Sequence, residues 1–162
     1  MARIRVSVLI RAPRSQVWRT IRDIPSHVEW MHDAESIRVT SALKTGVGTT
    51  FDCATKVGPF RLTDRMEVVE WRVERSIGIR HKGLVRGKGR FTLARRPGGT
   101  LFTWEERLRF PRWMGGLVGS LVAKPVLRAI WKRNLTGLKA LVEGGPGSSV
   151  GAVSRRGSTR RR

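Results

Sequence analysis

From Ala2 to Ile10 the chain alternates: Ile4, Val6, Val8 and Ile10 share one face, and Arg3, Arg5 and Ser7 the other. This period of two predicts a half-buried strand. Between Pro13 and Arg22 the period lengthens. Val17, Trp18 and Ile21 fall on one helical face, and Pro13 stands at a first helical position, where a missing N–H is tolerated. Asp23 and Pro25 end that helix, and a second short helix is predicted from Pro25 to Trp30. From Glu35 the period is two again. Ile37 and Val39 mark a strand, and Gly46 and Gly48 a turn. Phe51, Cys53, Thr55 and Val57 share one face of the next strand, which Gly58-Pro59 ends. Phe60, Leu62, Asp64, Met66 and Val68 share a face of a longer strand reaching Trp71. Ile77, Ile79 and His81 share a face of another. Gly83, Gly87 and Gly89 predict a turn, after which Phe91 and Leu93 alternate. Pro97-Gly98-Gly99 predicts a hairpin. The stretch from Thr100 to Phe110 is a seventh strand, with Phe102, Trp104, Glu106, Leu108 and Phe110 on one face.

The next segment reads as one long helix, Trp113 to Glu143, interrupted or kinked at Pro125, which lacks an N–H and crowds the preceding turn. Leu127, Ile130, Trp131, Leu138, Leu141 and Val142 recur at helical steps, and Gly144, Gly145 and Pro146 stop the helix. A long amphipathic helix after seven strands needs a sheet on which to bury its stripe, so the predicted class is α+β.

Several short motifs stand in a telling order: Ile10-Arg11-Ala12-Pro13 before Val17-Trp18, then Asp23 and Trp30, Gly46-Val47-Gly48-Thr49, Gly99-Thr100 with Trp104, and the terminal stretch Leu135 to Glu143. In that order and spacing the chain resembles the START-like (SRPBCC) ligand-binding superfamily, in its polyketide cyclase/dehydrase branch, over residues 3 to 143. The resemblance implies a helix-grip fold: a curved antiparallel sheet of about seven strands wrapped around the C-terminal helix, with two short helices after the first strand and an apolar cavity inside. It implies binding of a small hydrophobic molecule, polyketide-, lipid- or isoprenoid-like. The branch's named activity, cyclisation or dehydration of a poly-β-keto chain, has no specific motif here.

Composition adds boundaries. One domain, 1–143, is the natural reading of 162 residues, followed by a Gly/Ser/Arg-rich tail, 144–162, predicted to be disordered. Cys53 is the sole cysteine, so no intramolecular disulfide forms. No Cys/His spacing matches a metal site, and no cofactor is implied. Val6 to Ile10 is too short for a signal peptide and Trp113 to Ala123 too short to span a bilayer, so a cytoplasmic protein is expected. The net charge is +21, of which Arg155, Arg156, Arg160, Arg161 and Arg162 lie in the tail. This excess has two readings. One is an anionic partner: nucleic acid, an acidic membrane surface or a charged ligand. The other is compositional, since arginine outnumbers lysine and tyrosine is absent, as GC-rich codon usage produces. The tail can touch nucleic acid or anionic lipid through salt-sensitive contacts, but no aromatic residue is interleaved for base stacking.

On the presumed inward faces, Phe51, Phe60, Met66, Phe91, Phe102, Trp104 and Trp131 are candidate cavity lining. Trp30 joins them from the loop near the cavity mouth and Leu117 from the charge-free run. Each of these can equally fill ordinary core. Asp64, His81 and Glu106 fall on the same faces. Buried without partners they are costly, so three readings stand: acid/base groups acting on a ligand, a one-residue register slip that turns them to solvent, or pairing with an arginine such as Arg90 or Arg107. His27 and His32 flank Trp30 among Glu29, Asp33 and Glu35 and read as a solvated, acid-rich loop. Gly46-Val47-Gly48 and Gly87-Lys88-Gly89 precede strands rather than helices, which fits turns and not phosphate loops. The run Trp113 to Ala123 is either a flap over the cavity or membrane, or the buried first half of the helix.

Overall fold

The computed structural model describes residues 2–109 and 116–145, and of 116–123 the backbone alone. Seven strands form one antiparallel sheet: β1 (Ala2–Ile10), β2 (Ala34–Val39), β3 (Thr50–Val57), β4 (Phe60–Arg72), β5 (Ser76–Lys82), β6 (Arg86–Arg96) and β7 (Gly99–Arg109). Their order is β1-β7-β6-β5-β4-β3-β2. β2 to β7 are therefore a meander, and β1 closes against its last strand. Between β1 and β2 come α1 (Arg14–Ile21) and a 3-10 helix (Ile24–Glu29), and α2 (Gly116–Gly144) follows β7. A register break between Val68 and Glu70 bends β4, so the sheet curves around α2. The fold is the predicted one.

The differences are local. The second short segment is a 3-10 helix, because Pro25 at its start and the tight spacing of Ile24 and His27, both buried, favour the narrower turn. The backbone of α2 runs unbroken through Pro125, whose ring is exposed and meets no packed layer. Its proposed start at Trp113 lies outside the described residues. The buried stripe of α2 is Trp131, Leu135, Leu138 and Val142, while Leu141 is 39% exposed. β6 begins at Arg86, so Gly87 and Gly89 are strand residues and the turn is confined to Gly83–Val85.

The second half of α2 is fixed by polar contacts that no apolar period reveals. Asn134, fully buried, accepts from the His32 amide at 2.9 Å and donates to Asp33 at 2.6 Å. Lys139 donates to the Leu9 carbonyl at 2.7 Å, Gln16 to the Val142 carbonyl at 2.9 Å, and the Arg11 amide to Glu143 at 2.7 Å. At Gly137 a β-carbon would stand 3.0 Å from the Trp30 carbonyl oxygen, so the small residue lets the helix approach the loop. The convex face of the sheet is charged. Arg3–Glu105, Arg65–Asp52 and Arg90–Glu70 pair across strands at 2.9, 3.3 and 2.7 Å, each worth about 0–1 kcal/mol at an exposed position. Among the described residues no helix is long and apolar enough to cross a membrane.

Candidate functional site

Between the concave face of the sheet and α2 lies a cavity of about 640 Å³. Alternation alone builds most of its wall: Phe51 and Cys53 from β3, Leu62 and Met66 from β4, Ile77 and Ile79 from β5, Phe91 from β6, and Trp104 and Leu108 from β7. Leu127 and Trp131 of α2 face them, and Trp131 stacks on Trp104 at 5.1 Å. Phe60 and Leu84, at the tips of adjacent hairpins, lie at the rim. Phe60 is 72% exposed, because the turn after Val57 carries it past the end of the wall. Two expected lining residues stand behind the cavity. Trp30 and Phe102 are fully buried, and Trp30 packs edge-to-face on Phe102 and Trp104 at 6.5 and 6.2 Å as core. The side chain of Leu117, with most of the run Trp113 to Ala123, lies outside the described residues.

At one end of this apolar space the three ionisable residues meet. His81 Nδ1 donates to Asp64 Oδ2 at 2.6 Å, and its Nε2 donates to Glu106 Oε2 at 3.1 Å. The Trp104 indole N–H donates to the other oxygen of Glu106 at 3.0 Å. All three groups are buried and line the cavity. The register slip and the arginine pairing are thereby overturned: Arg90 and Arg107 sit on the opposite face, paired with Glu70 and Glu105.

Two glycines make this arrangement sterically possible. β6 runs between the strands that carry His81 and Glu106, with Gly87 opposite His81 and Gly89 opposite Glu106. The two side chains lie two strands apart, roughly 10 Å of sheet, and join over β6. A β-carbon at Gly89 would sit 2.3 Å from Glu106 Oε1. A β-carbon at Gly83 would sit 1.9 Å from Asp64 Oδ1, the carboxylate oxygen that is buried without a partner. Each carboxylate thus occupies the space a side chain would fill.

The electrostatics follow. Burial alone pulls the His81 pKa down, but hydrogen bonds to Asp64 and Glu106, and the charges on both, outweigh it and push it up to about 9. At neutral pH His81 is an imidazolium, the form that donates from both nitrogens. The cluster is thus a cation held between two acidic side chains in the wall of an apolar pocket. Burial pushes the Cys53 thiol up to about 12, so it is a neutral wall atom.

His27 corrects the reading of its loop. It is 5% exposed, lines the cavity, packs on Trp30 and Phe91 at 5.0 and 5.8 Å, and bonds the Ile21 carbonyl through Nε2 at 2.7 Å. Burial holds its pKa down at about 4, although the Ile21 carbonyl and Asp23 raise it. His32 is exposed, as expected of a loop. Among the described residues no three His, Cys, Asp or Glu side chains are placed to share a metal ion.

A curved sheet gripping a helix around an apolar cavity with a buried polar end defines a helix-grip protein of the ligand-binding type. The chain belongs to the family described as polyketide cyclase/dehydrase and lipid transport, whose model matches residues 1–143. Solved structures repeat the fold. Protein TTHA0849 from Thermus thermophilus is 21% identical, with a TM-score of 0.75 over 88% of this chain and 97% of that one. Protein MLL2253 from Mesorhizobium loti is 18% identical, with a TM-score of 0.65 over 88% and 97%. The di-domain ARO/CYC StfQ from the steffimycin biosynthetic pathway is 13% identical, with a TM-score of 0.73 over 88% of this chain and 51% of that one. No curated protein matches the sequence.

Proposed function

We propose that the protein binds a small hydrophobic molecule, polyketide-, lipid- or isoprenoid-like, between the sheet and α2. The observation that carries this reading is a cavity of about 640 Å³ whose wall is mostly apolar, with a buried acid–histidine–acid cluster set into it. Volumes of roughly 300–1,000 Å³ with a few placed polar groups characterise small-molecule sites. The test is native mass spectrometry of protein purified from its own host, followed by denaturing extraction. A stoichiometric small apolar compound is the expected result, and a protein that carries nucleic acid and no such compound refutes it.

The same cluster favours a second reading, an enzyme of the cyclase/dehydrase type. The Glu106 carboxylate takes a proton from the carbon beside a ligand carbonyl, and the electron pair forms a C=C bond. The C–OH bond breaks, and the hydroxyl leaves as water with a proton from the His81 imidazolium. H81Q and E106Q separate the two. A carrier keeps ligand affinity within a few-fold, whereas an enzyme loses turnover by roughly 10²-fold or more.

A further inference from the structure

We propose that His27 is a ligand-binding residue whose Nδ1 accepts a hydrogen bond from a hydroxyl on the bound molecule, so that the cavity selects phenolic, enolic or alcoholic ligands over hydrocarbons of the same shape. This rests on the reading of the cavity as a ligand site.

The argument is a census of hydrogen-bonding capacity. A carbonyl oxygen only accepts, so the Nε2 that faces the Ile21 carbonyl carries the ring's proton. The ring is neutral at pH 7, which leaves Nδ1 with a bare lone pair and no bond to any described residue. His27 belongs to the cavity wall, and packing on Trp30 and Phe91 fixes its plane. The other donors are spent on the protein: Thr55 on the Leu62 carbonyl, both nitrogens of His81 on Asp64 and Glu106, and the Trp104 indole on Glu106. The indole of Trp131, the weakly donating thiol of Cys53 and, at the rim, the 69% exposed guanidinium of Arg61 remain, against the lone pairs of Asp33, Asp64, Glu106 and His27. Away from the rim the cavity is rich in acceptors and poor in donors, so a ligand buried there must supply the donors. A polyketone without enol character satisfies none of them.

The probes are 2-naphthol and 2-methoxynaphthalene, which share a ring system and differ in the donor. Titration calorimetry at pH 7 on the full chain measures both. Wild type is expected to prefer 2-naphthol by about 5- to 10-fold, the effect of one net hydrogen bond. H27Q keeps a side-chain N–H but presents no Nδ1 lone pair, and the ratio of the two affinities is expected to fall to about unity, whatever the lost ring packing does to both probes. A preference that survives H27Q, or that is lost only in E106Q, overturns the assignment. Where H27Q does not fold, wild-type protein labelled with ¹⁵N-histidine decides. The His27 Nδ1 resonance moves with 2-naphthol and not with 2-methoxynaphthalene, and equal movement or none with both refutes the proposal. Binding of neither probe to wild type refutes the cavity reading itself, and is thereby distinct from binding of both without discrimination.

Discussion

Replacing Gly89 by alanine tests the cluster's construction. In a strand, Gly→Ala ordinarily stabilises by about 0.5–1 kcal/mol, because it reduces the freedom of the unfolded chain. Here the new methyl would lie 2.3 Å from Glu106 Oε1, 2.7 Å from its Cδ and 2.8 Å from Oε2. The carboxylate must leave its place, which breaks the bonds from His81 and Trp104. Each stranded buried group costs about 1–3 kcal/mol. After the ordinary gain is subtracted, G89A is expected to destabilise by about 2–4 kcal/mol, lowering Tm by roughly 6–12 °C for a domain of this size. Thermal unfolding by circular dichroism at pH 7 measures it, and a double-mutant cycle assigns it. In an E106A background the methyl has room, so the cost of G89A there should vanish or reverse. The His81 pKa, followed by NMR, should fall in G89A as one carboxylate partner departs. A neutral or stabilising G89A in wild type, or an equal cost in both backgrounds, would refute the reasoning.

Three other outcomes follow from the same geometry. Stability should peak near pH 6.5. His27, with a folded pKa of about 4 against 6.5 unfolded, loses stability as pH falls from 6.5 to 4, because the unfolded chain takes the proton first. His81, at about 9 against 6.5, contributes fully below 6.5 and loses its contribution as pH rises through 9. Each limb is worth about 3 kcal/mol at most; urea melts across pH should show both, with H27Q flattening the acid limb and H81Q the alkaline one. N134A strands the His32 amide and an Asp33 oxygen and should cost about 2 kcal/mol by the same melts, where a neutral result would remove Asn134 as an anchor. F60S should change stability by less than about 0.5 kcal/mol, since Phe60 is 72% exposed, while stopped-flow fluorescence should show slower uptake of 2-methoxynaphthalene at the rim.

Strand alternation makes most of this architecture legible in the chain. Placing Asp64, His81 and Glu106 inward needs only the period of two, and the cluster is where that period puts them. Three features escape it. Gly87 and Gly89 read as a turn because glycine is locally a breaker, whereas here it serves a close approach from a neighbouring strand, a contact between residues 17 positions apart. An inward Glu106 facing a Gly-x-Gly inside an alternating stretch is the available signal. His27 reads as a loop residue because its burial depends on Phe91, brought from β6, 64 positions along the chain. Asn134 lies on the buried stripe of α2 at the helical step between Trp131 and Leu138, where apolar counting passes over a polar residue that has partners. Trp30 and Phe102 share the inward direction of true lining, and only three-dimensional packing separates a second layer from a first.

The described anchors of α2 lie at Asn134, Gly137, Lys139, Val142 and Glu143, while Leu127 and Trp131, which face the sheet across the cavity, come before them. Among the described residues the polar clamp of the helix is its C-terminal half. From Asn134 to Leu127 is about 10 Å along its axis, so a tilt of roughly 6° at the clamp moves Leu127 by about 1 Å. The acid–histidine–acid cluster sits on the sheet and does not travel with the helix. Pocket capacity and pocket chemistry thus rest on different elements: Leu127 and Trp131 of the helix bound the space, while the strands carry the polar cluster.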